Sequence, residues 1–213
     1  MILEKTDKRY WNQIKVGDMV SLSDPQSIQD AQEAGLTSFD LQVKRIRKIN
    51  QEDDLVNWNL YDIQQQEESL VLLVKIVDEN IDTYIFFEEP ELSQMDRDDL
   101  LDADLGFLFE ETDEEIEASS ELSFTAAIFK DDCEFVRKPQ GELYGESRMS
   151  PIPSGCDETE FVTLVEYQAD INELDNNQFL IIEEGGEDCP AGGLVTCYSG
   201  SPISMLDVEC WPK

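Results

Sequence analysis

The stretch LVLLVKIV at residues 70–77 is apolar at every position but Lys75. A run this short, hydrophobic at odd and even positions alike, is a strand buried on both faces, so it needs partners on both edges. Partners are close by in sequence. FDLQVKRIRKI at 39–49 alternates Phe39, Leu41 and Val43 with polar residues, and VNWNLYDI at 56–63 and TYIFF at 83–87 have strand length and composition. Residues 50–54 make a turn and Asp78, Glu79 and Asn80 a hairpin loop. The expectation is a four-stranded antiparallel meander with 70–77 in its middle. Upstream, Tyr10, Trp11 and Ile14 sit on a short helix or turn, residues 16–18 turn, and residues 19–22 form a strand. A surface helix then runs from an Asp24 cap, with Pro25 in its first position, to a stop at Gly35.

The second half repeats this grammar. Residues 123–129, 134–136, 160–167, 178–183, 194–198 and 203–210 have strand character, separated by Gly, Pro, Asn and Ser clusters, and residues 139–155 read as a long loop. The fold class expected is α+β, mostly antiparallel β, with two β-meander halves in a sandwich or barrel-like arrangement and one or two short helices. The organisation expected is a helix plus meander at 1–90, an acidic connector at 91–121 and a second β-rich half at 122–213, the two halves together being able to form one composite domain. Tyr61 before the 70–77 strand is echoed by Tyr167 before 179–182, which fits a degenerate duplication and equally two unrelated meanders.

Charge bears on function more than on fold. Residues 88–121 hold fifteen carboxylates and one base, Arg97, in a chain of net charge −34. Residues 1–48 carry eight Lys/Arg against seven Asp/Glu, whereas the remainder carries seven against forty-two. A halophile's adaptation would spread carboxylates evenly, so the split points to a surface facing a positively charged partner. Such density repels itself unless counter-ions or a basic partner relieve it. Leu92 with Met95, and Leu101 with Leu105 and Leu108, have helical spacing within the run, whereas residues 113–120 read as a loop.

The chain has no histidine, which removes the usual general base and the commonest metal ligand. Cys133, Cys156, Cys189, Cys197 and Cys210 are odd in number and show no CxxC spacing, and they are expected as thiols of a reduced compartment. The nearest approach to a calcium loop, around Asp102, Asp104 and Gly106, places Leu101 and Thr112 where Asp and Glu are needed. No cofactor or metal site and no enzymatic activity are expected. The basic cluster Lys44, Arg45, Arg47 and Lys48 is expected to pair with the chain's own carboxylates rather than with nucleic acid. With no apolar run of signal-peptide or membrane-helix length, the expectation is a soluble cytoplasmic protein.

WNLY at 58–61 with the LVLLV that follows, EY at 166–167 with FLIIE at 179–183, and SMLDVE at 204–209 together resemble a bacterial β-rich domain family of unknown function over about half the chain. The resemblance implies a β-rich fold and a non-enzymatic role and brings no catalytic residue; the long acidic segment departs from it. The functional expectation is an acidic binding protein that docks a basic protein (a nuclease, toxin or nucleic-acid-binding protein) as inhibitor, immunity factor or nucleic-acid mimic. Its contact residues would be Asp96, Asp98, Asp99, Asp102, Asp104, Glu110, Glu111, Glu114 and Glu115, with Leu101, Phe107 and Phe109 as apolar anchors. The alternatives are a structural or adaptor domain that binds through its sheets, its charge serving only solubility, and a carboxylate-dependent hydrolase.

Overall fold

The computed structural model describes residues 3–23, 40–50, 56–65, 68–89, 121–125, 132–152, 154, 158–169, 178–184 and 195–212. The helix expected from Asp24 to Gly35 and the acidic run from 90 to 120 lie outside them. The elements are helix α1 (Lys8–Asn12) and strands β1 (Met19–Leu22), β2 (Asp40–Asn50), β3 (Val56–Gln65), β4 (Glu68–Val77), β5 (Asn80–Glu88), β6 (Glu121–Thr125), β7 (Asp132–Ser150), β8 (Glu160–Ala169), β9 (Gln178–Glu184), β10 (Val195–Pro202) and β11 (Val208–Trp211). A 3-10 turn at Met205–Asp207 precedes β11. No described helix is long and apolar enough to cross a membrane.

All eleven strands belong to one antiparallel sheet, in the order β11-β1-β2-β3-β4-β5-β10-β9-β8-β7-β6. The expected first meander is β2 to β5, with β4 central and its Leu70 to Val74 buried on both faces. A second, β7 to β10, is its counterpart. The two are joined at two seams: β5 pairs with β10, and the far half of β2, Ile46 to Asn50, pairs with Ser150 to Glu146 of β7. The ladder thus returns to its starting strand, and the curled sheet becomes a barrel wall. The near end of β2 instead pairs with β1, and β1 with β11.

Two apolar clusters follow from this curl. Ile49, Trp58, Leu60, Val71, Leu73, Tyr84 and Phe86 of the first meander pack with Val162, Leu164, Ile182 and Tyr198 of the second, which fills the inside of the curl. On the outer face of β3–β5, Tyr61, Ile63, Leu72, Val74, Ile85 and Phe87 pack under Trp11, Ile14, Val20, Leu22 and Val208. Strand pleating sends alternate residues to opposite faces, so β4 supplies Leu70, Leu72, Val74 and Ile76 to one cluster and Val71 and Leu73 to the other. Helix α1 is fastened to this outer face by hydrogen bonds. Asp7 caps it through Arg9 N, the Trp11 indole donates to Lys5 O at 2.7 Å, and the Tyr61 hydroxyl donates to Trp11 O at 2.6 Å.

Three local expectations are corrected. Residues 139–150 are strand rather than loop: a register shift between Arg137 and Glu142 absorbs the Pro139 to Gly141 stretch, and β7 continues to Ser150. Gly145, in that stretch, allows close approach rather than turning: a Cβ there would lie 2.8 Å from Asn50 O across the β2–β7 seam. Gly200 does the same across the β5–β10 seam, where a Cβ would overlap Ile85 O and lie 2.8 Å from Phe86 Cδ1. Residues 199–202 are accordingly the end of β10 rather than a turn. Finally, residues 203–210 do not form one strand, because Ser204 caps a 3-10 turn by accepting from Leu206 N before β11 begins.

Candidate functional site

The twelve residues expected to meet a partner, Asp96, Asp98, Asp99, Asp102, Asp104, Glu110, Glu111, Glu114, Glu115, Leu101, Phe107 and Phe109, all lie outside the described residues. The structure does place both flanks of their segment. The chain leaves the barrel wall at Glu88 of β5 and re-enters the sheet at Glu121 of β6, which faces Val136 of β7. Glu89 is already committed to the fold. It is buried, accepts a hydrogen bond from the Ser199 hydroxyl, and donates its backbone N–H to Cys197 O at 2.8 Å.

Each cation of the basic strand has a partner within the chain. Val43 and Arg45 bracket a bulge on β2, which re-phases the strand so that Ile46 stays in the outer core while Arg47 turns inward and is 6 % exposed. Arg45 makes an ion pair with Asp62, its registered neighbour on β3. Arg47 reaches Met149 Sδ, and Lys48, its pKa lowered by burial, donates to Asn12 O. Lys44 donates to Gln42 Oε1 at 2.6 Å.

A charged pair also crosses the interior. Lys75, the one charge in the 70–77 run, sits 2.7 Å from Glu166 of β8, with its Nζ 4.6 Å from the centre of the Trp58 ring. The side chains are 18 % and 6 % exposed. This contact joins the two meanders across the curl, so its partners are structural. The sequence signal for it is a lone lysine in one apolar strand and a glutamate, Glu166, between apolar residues of another.

A part of the described surface that is both concave and acidic lies around the β4–β5 hairpin. One hollow of about 550 Å³ separates residues 3–9 from the hairpin tip, with buried Ile76 at its base and exposed Glu4, Asp78 and Glu79 at its rim. A second, of about 410 Å³, runs between the hairpin and residues 202–206, over buried Ile81, Tyr84 and Ile203, past exposed Asp82 and Leu206. Thr6 lines both, and Ile76 of the first is directly paired with Ile81 of the second across the hairpin, so the two hollows lie side by side. Arg9, which also lines the first, is engaged by Asp7 through both carboxylate oxygens, and this ion pair holds Asp7 down at about 2.

Chemistry has little to work with among these groups. Burial pushes the Cys197 and Cys210 thiols up to about 12, so at neutral pH they are protonated and poor nucleophiles. Among the described residues no cluster of three or more Cys, Asp or Glu is placed to hold a metal ion. The chain matches no family model, no curated protein and no solved structure.

Proposed function

We propose that the protein is a non-enzymatic acidic binding protein that docks a positively charged protein surface, as an inhibitor, immunity factor or nucleic-acid mimic. The observation that carries this reading is a surplus of carboxylate that the fold cannot neutralise. Lys5, Arg9, Arg45, Lys75 and Arg148 each pair with a carboxylate of their own chain. With 15 bases for 49 acids, complete internal pairing would still leave 34 carboxylates without a base. A complementary basic surface relieves that repulsion, raises the association rate and disfavours acidic competitors. The reading places the contact in the segment between β5 and β6, where the carboxylates are densest and Leu and Phe are interleaved.

The test is capture from lysate at about 50 mM and about 500 mM salt, conditions that shift the screening length several-fold. The reading expects a discrete basic protein at low salt that is released at high salt. It also expects weakened capture when Asp98, Asp99, Asp102, Asp104 and Glu110 are changed to Asn or Gln. Unchanged affinity in that variant refutes it.

A second reading, an adaptor that binds through its sheets, has one observation in its favour: Phe161 on β8 is 68 % exposed and Trp211 on β11 is 47 % exposed. It expects capture to survive both high salt and deletion of residues 91–121.

A further inference from the structure

The geometry points to the groove around the β4–β5 hairpin as a second docking surface, one that takes a segment of the partner in which Lys or Arg alternates with large apolar side chains. The inference rests on the reading that the partner is a basic protein, and adds a place and a sequence character for what that partner inserts.

Three features of the groove converge. Its base is apolar: Ile76, Ile81 and Ile203 are each at most 9 % exposed, and Leu206 stands beside them at 73 % exposure. A leucine that exposed, next to a concavity, supplies apolar area for an incoming side chain to cover. Its rim is acidic. With Arg9 engaged by Asp7, the exposed charges left are Glu4, Asp78, Glu79 and Asp82 against Lys8. Its shape is set by rigid parts. The hairpin turns in two residues, with Asp78 in the left-handed region at φ 56°, so Val77 and Asn80 are already paired and the Asp78 and Glu79 carboxylates are held at the tip. The opposite wall is held as well: Lys5 Nζ donates to Leu206 O and Glu209 Oε1, tying residues 3–9 to the 3-10 turn. A pre-formed groove loses less ordering entropy on binding than a mobile one.

Charge complementarity selects the occupant. An acidic or purely apolar segment would leave the rim carboxylates unrelieved, and a purely cationic one would leave Leu206 wet. A segment that carries both fits both, its apolar side chains over Leu206 and its bases against Asp78, Glu79 and Asp82.

The test uses the full chain and a fluorescein-labelled synthetic peptide alternating Lys/Arg with Leu/Phe, beside a control peptide with Ser at the apolar positions. Anisotropy titration should show at least about tenfold tighter binding of the first peptide, the scale expected of a buried anchor side chain. The Leu206→Ser variant should abolish that preference. The D78N/E79Q/D82N variant should weaken the first peptide about tenfold or more. All four positions are exposed or at the hairpin surface, and circular dichroism confirms that the variants fold. The five-residue neutralisation in the acidic run should leave this peptide's affinity within about threefold of wild type, since the inferred contact is with Asp78, Glu79, Asp82 and Leu206, which that variant leaves unchanged. Equal binding of the two peptides, or equal loss in the groove and acidic-run variants, overturns the inference by showing only bulk charge. Loss of lysate capture in the acidic-run variant with the groove intact leaves the proposed function standing, so the two readings fail separately.

Discussion

Removing either end of the Lys75–Glu166 pair tests whether the two meanders enclose a single low-dielectric interior. Glu166 is 6 % exposed and Lys75 18 %, with its Nζ on the face of Trp58. Taking one partner from a buried pair strands the other charge, at a cost of about 3–5 kcal/mol. Lys75→Met should therefore destabilise by about 3 kcal/mol, the lower end, because at 18 % exposure of Lys75 the pair is not fully shut off from water. Glu166→Met should be milder, about 2 kcal/mol, because the remaining ammonium keeps the Trp58 face, an interaction of about 0.5–2 kcal/mol, and has some access to water. The double variant replaces the pair with apolar groups, and buried pairs replaced in this way are often neutral or stabilising. It should fall within about 1 kcal/mol of wild type, a coupling of about 4 kcal/mol against the sum of the singles. Urea unfolding followed by tryptophan fluorescence measures all three. If the double variant loses as much as the singles combined, the pair is uncoupled and its enclosed setting is refuted.

Other expectations follow from the same geometry. Gly200→Ala should destabilise by about 3 kcal/mol or more, since its Cβ meets backbone at Ile85 and Phe86, whereas Gly145→Ala, at 2.8 Å from Asn50 O, should cost less; thermal melts rank the two, and equal midpoints contradict the seam packing. Burial raises Cys197, Cys210 and Tyr10 to about 12, so the unfolded chain releases these protons first; stability is intact below the ordinary thiol value of 9.0 and declines as pH rises from there toward 12. By linkage the buried Cys197 thiol should subtract about 3 kcal/mol near pH 11, and Cys197→Ala should soften the loss in an alkaline urea series. Salt should raise the melting temperature, because screening relieves carboxylate repulsion; a melt unchanged between about 0.05 and 0.5 M NaCl would show that the surplus charge does not strain the fold.

Much of the wall was legible from local pattern. The β2–β5 meander was readable because its strands alternate or are wholly apolar and its turns are short, and β4 was central because Leu70 to Val74 have no polar face. Gly145, within the stretch read as a loop, and Gly200, within a Ser/Gly/Pro separator, carry no sequence sign of their role, since a glycine needed for close approach looks in sequence like one needed for a bend. The partner strand that demands it is contributed by residues far along the chain. The bulge that buries Arg47 was likewise invisible, because it depends on register with β3. Of the candidate site, the acidic run was visible in composition alone and its residues are outside the described structure. The groove was missed because its acids, Glu4, Asp78, Glu79 and Asp82, come from segments brought together only by the β1–β11 end of the sheet and the hairpin.

Ring closure also sets the order in which the chain can fold. Synthesis proceeds from the N-terminus at about 5–20 residues per second, so β2–β5 emerge long before their partners. Until β7 and β10 arrive, β2 and β5 present bare edges, the usual template for pairing between copies. Pairings as distant as Val20 with Cys210 give the fold a high contact order and a correspondingly slow last step. The segment that follows β5 on the ribosome is the one holding fifteen carboxylates between residues 88 and 121. The half-made sheet is therefore expected to emerge joined to a strongly negative segment, whose repulsion between nascent copies would oppose that edge pairing.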